Sequence, residues 1–221
     1  MPNGQPLELV QLPAMHPPCG IALRHAFGPP TVIRLSIDPT PQPLGTISRG
    51  VVVDQIARAR NAPAVEVQRS IGWANLQDAV QNLRALLVQL PITVNAQALT
   101  EQAAIGVMAL LLHDLEGVVL QAVLQIGSGG DYIIQSEEQV EVSGIRHAVS
   151  AAVSQGRLAE KSTQVLRHSE AGYVSVTTFS YPGSQASGPI VHSYLHFVRQ
   201  APKKQKSRQT GKNAGKKGKK K

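Results

Sequence analysis

Two carboxylates and one amine are the residues of this chain best placed to do chemistry. Asp131 follows Gly129-Gly130 and opens the run Asp131-Tyr132-Ile133-Ile134, while Glu141 stands in the middle of Gln139-Val140-Glu141-Val142-Ser143. On neighbouring β-strands with their side chains on one side, two such acids lie a few ångströms apart. Their mutual repulsion is relieved by a hard divalent cation held through oxygen ligands, with magnesium the natural choice and manganese a second. The amine is Lys161. Residues 1–202 carry eleven arginines and this single lysine, and a compact ammonium is not interchangeable with a guanidinium. Arg157, Lys161 and Gln164 fall at i, i+4 and i+7, so they share one helical face that can be turned toward the carboxylates.

The elements that must position these groups follow from periodicity. Thr100 reads as the N-cap of a helix whose apolar side is Ala104, Val107, Met108, Leu111, Leu112 and Leu115, closed by Gly117. Val118 to Ile126 reads as a strand, Gly127 to Gly130 as a tight turn, and Asp131 to Ile134 as the second strand of a hairpin. Glu137-Glu138 marks another turn before a third strand, Gln139 to Ser143, ended by Gly144. Ala148 to Arg167 is predicted helical, with Gly156 weakening it by about 1 kcal/mol relative to alanine. Tyr173–Phe179 and Val191–Val198 are two further strands joined by the loop Pro182–Pro189. The order is helix, three strands, helix, strand.

Upstream the pattern is less regular. Prolines through residues 1–50 predict no long helix there, and Thr31 to Ile37 alternates like a half-buried strand ending at Asp38-Pro39. Val51–Asn61 and Asn75–Leu90 are predicted as amphipathic helices, the second stopped by Pro91, and Trp73 is expected to pack on the core.

This element order, with Gly130-Asp131-Tyr132-Ile133-Ile134 followed by Val140-Glu141-Val142-Ser143, resembles the PD-(D/E)XK nuclease-like superfamily over about residues 99–199. The resemblance implies an α/β, restriction-endonuclease-like αβββαβ core with a mixed sheet. It implies that Asp131 and Glu141 bind magnesium with help from the backbone carbonyl of Val142. The acidic residue on the first helix matches Glu101 best and Glu116 less well. The family pattern has lysine two residues after the Glu, where this chain has Ser143; in a migrated-lysine branch the cation comes from the next helix, which here carries Lys161. The implied activity is cation-dependent hydrolysis of phosphodiester bonds in DNA or RNA, with catalytic residues Glu101, Asp131, Glu141 and Lys161, and Arg157 or Gln164 on a neighbouring phosphate. The alternative is the same fold without catalysis, binding nucleic acid or protein, with Ser143 as the trace of that loss.

Each residue also has a plainer reading: an Asp after Gly-Gly caps turns, and a Glu in a strand can face solvent. His192 and His196, four apart on a strand, share a face that could take zinc or simply pack. Cys19, the one cysteine, excludes an internal disulfide and a thiolate zinc cluster, and reads as inert and partly buried.

The net charge of +8 is unevenly placed. Ten basic and no acidic residues lie between Lys203 and Lys221, which leaves twelve basic against fourteen acidic groups, a net of −2, before them. Such a segment is predicted unstructured and reads either as a plain solubility tail or as a handle whose Lys203, Lys204, Lys206 and Arg208 attract polyanions in a salt-sensitive way. The expected division is 1–95 as a proline-rich and helical region packing on the core, 96–200 as the nuclease-like domain, and 201–221 as the basic tail. No uninterrupted apolar run approaches the roughly 18 residues of a membrane helix, and the first residues lack a secretory pattern. A cytoplasmic protein without membrane partners is therefore expected. The oligomeric state is left open, a homodimer included.

Overall fold

Along the chain the elements run β1 (Leu7–Glu8), a 3-10 turn (Leu9–Gln11), α1 (Leu12–Met15), α2 (Gly20–Leu35), β2 (Arg49–Ala57), β3 (Val67–Gly72), α3 (Gln77–Gln89), α4 (Ile92–Glu116), β4 (Leu120–Val123), β5 (Tyr132–Ile134), β6 (Gln139–Ile145), α5 (Ala151–His168), β7 (Ala171–Ser180) and β8 (Ile190–Arg199). The computed structural model describes residues 7–35, 49–57, 67–73, 75–89, 92–123, 131–134, 137–146, 150–180 and 190–200. The fold is mixed α/β. Its strands form one mixed sheet in the order β1-β3-β2-β8-β7-β6-β5-β4. The pairs β4–β5, β5–β6, β7–β8 and β2–β3 are antiparallel, whereas β6–β7, β2–β8 and β1–β3 are parallel.

Strand residues alternate between the two faces of the sheet. Val140 and Val142 of β6, Tyr173 and Phe179 of β7 and Leu195 of β8 join the large core with α2 and α4. The residues between them, Val174 and Val176 of β7 and Tyr194 of β8, pack with Leu158 and Val165 of α5. The site-bearing half is thus a three-layer arrangement, with α4 beneath β6 and α5 above it.

Two glycines permit the close approaches that set α4 in place. A Cβ on Gly106 would come within 2.1 Å of the Thr31 hydroxyl oxygen, and one on Gly144 within 2.5 Å of the Thr100 carbonyl oxygen. Gly144 therefore lets the α4 turn that carries Glu101 sit directly on β6.

Several sequence expectations are corrected. Thr31 to Leu35 is the last part of helix α2, not a strand, despite Pro29 and Pro30 inside the helix. Gly28 to Val32 is buried, and the Thr31 hydroxyl faces the carbonyls of Phe27 (2.7 Å) and, on α4, Ala103 (3.2 Å). Packing on α4 thus offsets the two amide donors that the prolines remove. The stretch predicted as a helix from Val51 is strand β2, paired with β3 on one side and β8 on the other. Its Val51-Val52-Val53 run suits a strand's pleat. Thr100 is not a cap, because α4 starts at Ile92 and the Thr100 hydroxyl donates back to Ala96 O at 2.7 Å. Strand β6 runs through Gly144 to Ile145. Within α4, Ala96–Glu116 has a mean hydropathy of 1.2, long and apolar enough to cross a bilayer by composition. Its residues from Ala103 to Leu112, except Ile105, are buried in the protein core.

Other elements match their expectations: α3, the turn at Glu137, α5, β7 and β8, and Trp73 is buried in the core. The Gly127–Gly130 turn, the Pro182–Pro189 loop and the tail with Lys203, Lys204, Lys206 and Arg208 lie outside the described residues.

Candidate functional site

The register of β5 against β6 pairs Tyr132 with Val140 and Ile133 with Gln139. The paired register ends at Tyr132, and Asp131 just before it lies near enough to Glu141 for its charge to act there. Strand β5 begins at Tyr132, so Asp131 stands where the ladder opens. Its amide still donates to Val140 O at 2.9 Å, while its carboxylate Oδ2 accepts the Val142 amide at 2.8 Å. An extended residue turns its N–H and C=O to the same side. The Val142 carbonyl therefore faces the same edge as the Asp131 carboxylate.

Glu141 and Ser143 project from β6 toward α5. Lys161 donates from Nζ to Glu141 Oε1 in an ion pair whose side chains are only 13% and 2% exposed. Arg157 donates from Nε to Ser143 Oγ at 3.0 Å and from Nη1 to Glu160 Oε2 at 2.8 Å. These contacts share one geometric cause. Two residues forward on a strand advance about 6.6 Å, and four residues back on a helix retreat about 6 Å. Once Lys161 meets Glu141 in the antiparallel packing of α5 on β6, Arg157 must meet Ser143.

Both acids titrate above the ordinary carboxylate range. Burial dominates for Asp131; the Val142 amide and Lys161 oppose it, and Glu101 adds to it. Burial dominates for Glu141 as well, countered by the bond from Lys161 and the charges of Lys161 and Arg157, and reinforced by Asp131. Glu141 Oε2 is buried and, among the described residues, has no hydrogen-bond partner. A buried carboxylate oxygen in that condition is costly. An orphan oxygen beside a second carboxylate fits a hard cation, so Asp131, Glu141 and the Val142 carbonyl are the groups that would hold one. Among the described residues, no set of three or more His, Cys, Asp or Glu side chains is close enough to ligate a metal together.

No protein-family model, curated protein or solved structure matches this chain. The site therefore rests on its own geometry.

The structure brings together Asp131, Glu141, Val142, Lys161 and Arg157. Gln164 joins them, its Oε1 accepting from Lys161 Nζ at 3.4 Å. Glu101 lies near enough for its charge to act on Asp131, and Gln97 donates to it at 2.9 Å. Glu116 instead accepts the Tyr173 hydroxyl at 3.2 Å. His192 and His196 stand on β8, two strands from β6, and the Nε2 of His196 is buried without a hydrogen-bond partner among the described residues. Cys19 is half-buried, burial pushes its thiol up, and its Sγ faces Leu120 O at 3.4 Å. Sequence reasoning treated Ser143 as a vacancy in a pattern and passed over Glu160. The i, i+3 spacing of Arg157 and Glu160 was the available signal.

Proposed function

We propose that this chain is a divalent-cation-dependent nuclease-like hydrolase acting on phosphodiester bonds of DNA or RNA, built on a PD-(D/E)XK-type core. The order α4, β4, β5, β6, α5, β7 supports it, as it follows αβββαβ, with Asp131 at the second strand, Glu141 in the third and Lys161 on the next helix. One cluster carries the reading: the Asp131 carboxylate accepts the Val142 amide next to Glu141, Lys161 reaches Glu141, and Glu141 Oε2 is left buried and, among the described residues, unpartnered.

Magnesium, or manganese in its place, supplies Lewis acidity and a bound water of lowered pKa when held by Asp131, Glu141 and the Val142 carbonyl. The chain's own groups do the rest. Glu101 adds negative charge on the α4 side of the pocket, favouring a cation over any anion at its centre. The Lys161 ammonium, on a flexible stem beside Glu141, offsets negative charge developing on the phosphoryl oxygens. Gln164 steadies that ammonium through its Oε1. The lysines from Lys203 onward add affinity for the nucleic-acid backbone without reading sequence.

The test is incubation of full-length protein with single- and double-stranded DNA and RNA in magnesium, manganese or chelator, alongside Asp131→Ala and Lys161→Ala. Cation-dependent cleavage is expected to fall at least about a hundredfold in each variant. Cleavage that survives in both variants would contradict the assignment. The serine at position 143 favours a second reading, a nucleic-acid-binding module without catalysis; binding with no cleavage in any cation would select it.

A further inference from the structure

Arg157 is held along two edges of its guanidinium. Nε donates to Ser143 Oγ and Nη1 to Glu160 Oε2, while Nη2 takes part in neither bond. Ser143 is buried, at 6% exposure, whereas the Arg157 side chain keeps 38% of its surface open. The anchored edge therefore points into the protein, and Nη2, which has no partner among the described residues, remains within reach of solvent. Ser143 lies two residues past Glu141 on the same side of β6, and Arg157 one turn before Lys161 on α5, so the guanidinium sits immediately beside the carboxylate pocket. A guanidinium fixed in its plane offers donors matched to the oxygens of a tetrahedral anion, and fixing it in advance lowers the entropy lost on binding.

We infer that Ser143 and Arg157 form one phosphate-positioning unit, in which Ser143 orients the guanidinium and Arg157 binds the non-bridging oxygens of a backbone phosphate next to the one at the carboxylates. This deepens the nuclease-like reading and rests on it for the identity of the anion. Ser143 then has a task of its own, performed through Arg157. Glu160, which faces the opposite edge and is exposed, completes the clamp without engaging Nη2.

The experiment measures binding of a short labelled DNA oligonucleotide, single-stranded and duplex, to full-length protein by fluorescence anisotropy. Chelator prevents hydrolysis, and the salt is high enough to screen exposed lysines. Arg157→Ala is expected to weaken binding about tenfold or more. Ser143→Ala should weaken it roughly threefold, Ser143→Thr should restore it, and the double variant should bind no worse than Arg157→Ala alone, as coupled residues do. A neutral methylphosphonate at the contacted linkage should abolish the difference between wild type and Arg157→Ala. Thermal melts on the same samples separate this from a merely structural link between α5 and β6, which would move the melting temperature and leave affinity unchanged. Equal affinity of wild type and Arg157→Ala overturns the inference, as does additivity of the two single variants. Replacing chelator with magnesium in the same samples reads cleavage, which bears on the nuclease reading alone.

Discussion

Asp131 and Glu141 are held above the ordinary carboxylate range chiefly by burial, and each has an acidic neighbour that adds to the shift. A carboxyl raised in the folded state binds more protons there than in the unfolded chain. Its contribution to stability is complete below the unfolded pKa of about 4 and declines as pH rises through the raised folded value. A cation that binds only the ionised pair reverses that decline. Magnesium is therefore expected to raise the melting temperature more at about pH 8 than at about pH 5, as thermal scans in cation and in chelator can read. Lys161→Met leaves Glu141 buried without its countercharge and should cost about 3–5 kcal/mol in urea unfolding at neutral pH. Adding Glu141→Gln should recover part of that loss. Asp131, Glu141 and Lys161 were readable in the sequence because residue type and element order sufficed. The Ser143–Arg157 bond was not, because it depends on how a helix docks on a strand, which no local spacing encodes.

Helix α4 is the element on which the site depends, since it lies on β6 at Gly144 and carries Glu101. Gly144→Ala drives a Cβ into the Thr100 carbonyl and should cost about 1–3 kcal/mol, with a matching loss of any cation-dependent activity as the α4 turn is displaced. At its other end α4 is tied to β4 through His16. The ring sits between Ala109 O at 2.9 Å on Nε2 and the Leu120 amide, which donates to Nδ1 at 3.1 Å. Those partners assign the proton to Nε2 and keep the ring neutral. Burial, opposed by the Ala109 carbonyl and joined by the charge of His113, lowers its pKa. The stability that follows is present above the unfolded value of about 6.5 and lost as pH falls through the folded one. His16→Ala should lower stability by about 2–4 kcal/mol and flatten its dependence on pH below about 6.5, in denaturant titrations across that range. Elements with strong local patterns, such as α3, α5, β7 and β8, were legible. Strand β2 was not, because its neighbours β3 and β8 decide its state. Nor was α2, where packing against Gly106 outweighs two prolines.

At the scale of the whole molecule, the described strands form one sheet in which β1, β3 and β2 extend the half that carries the site. That continuity was invisible in the sequence because β2 joins β8 in parallel, across more than a hundred residues of chain. The uneven charge was visible from the start, and it separates two sources of affinity. Removing residues 201–221 should reduce the slope of log K against log salt for DNA while leaving the effect of Arg157→Ala intact, as anisotropy titrations at several salt concentrations can show. The proposed activity depends on a cation pocket formed by Asp131, Glu141 and the Val142 carbonyl. Calorimetric titration of manganese into the full-length protein is its most direct test. One saturable site in the wild type, lost in both Asp131→Asn and Glu141→Gln, is the predicted result; no binding by the wild type, or binding unchanged in the two variants, would contradict it.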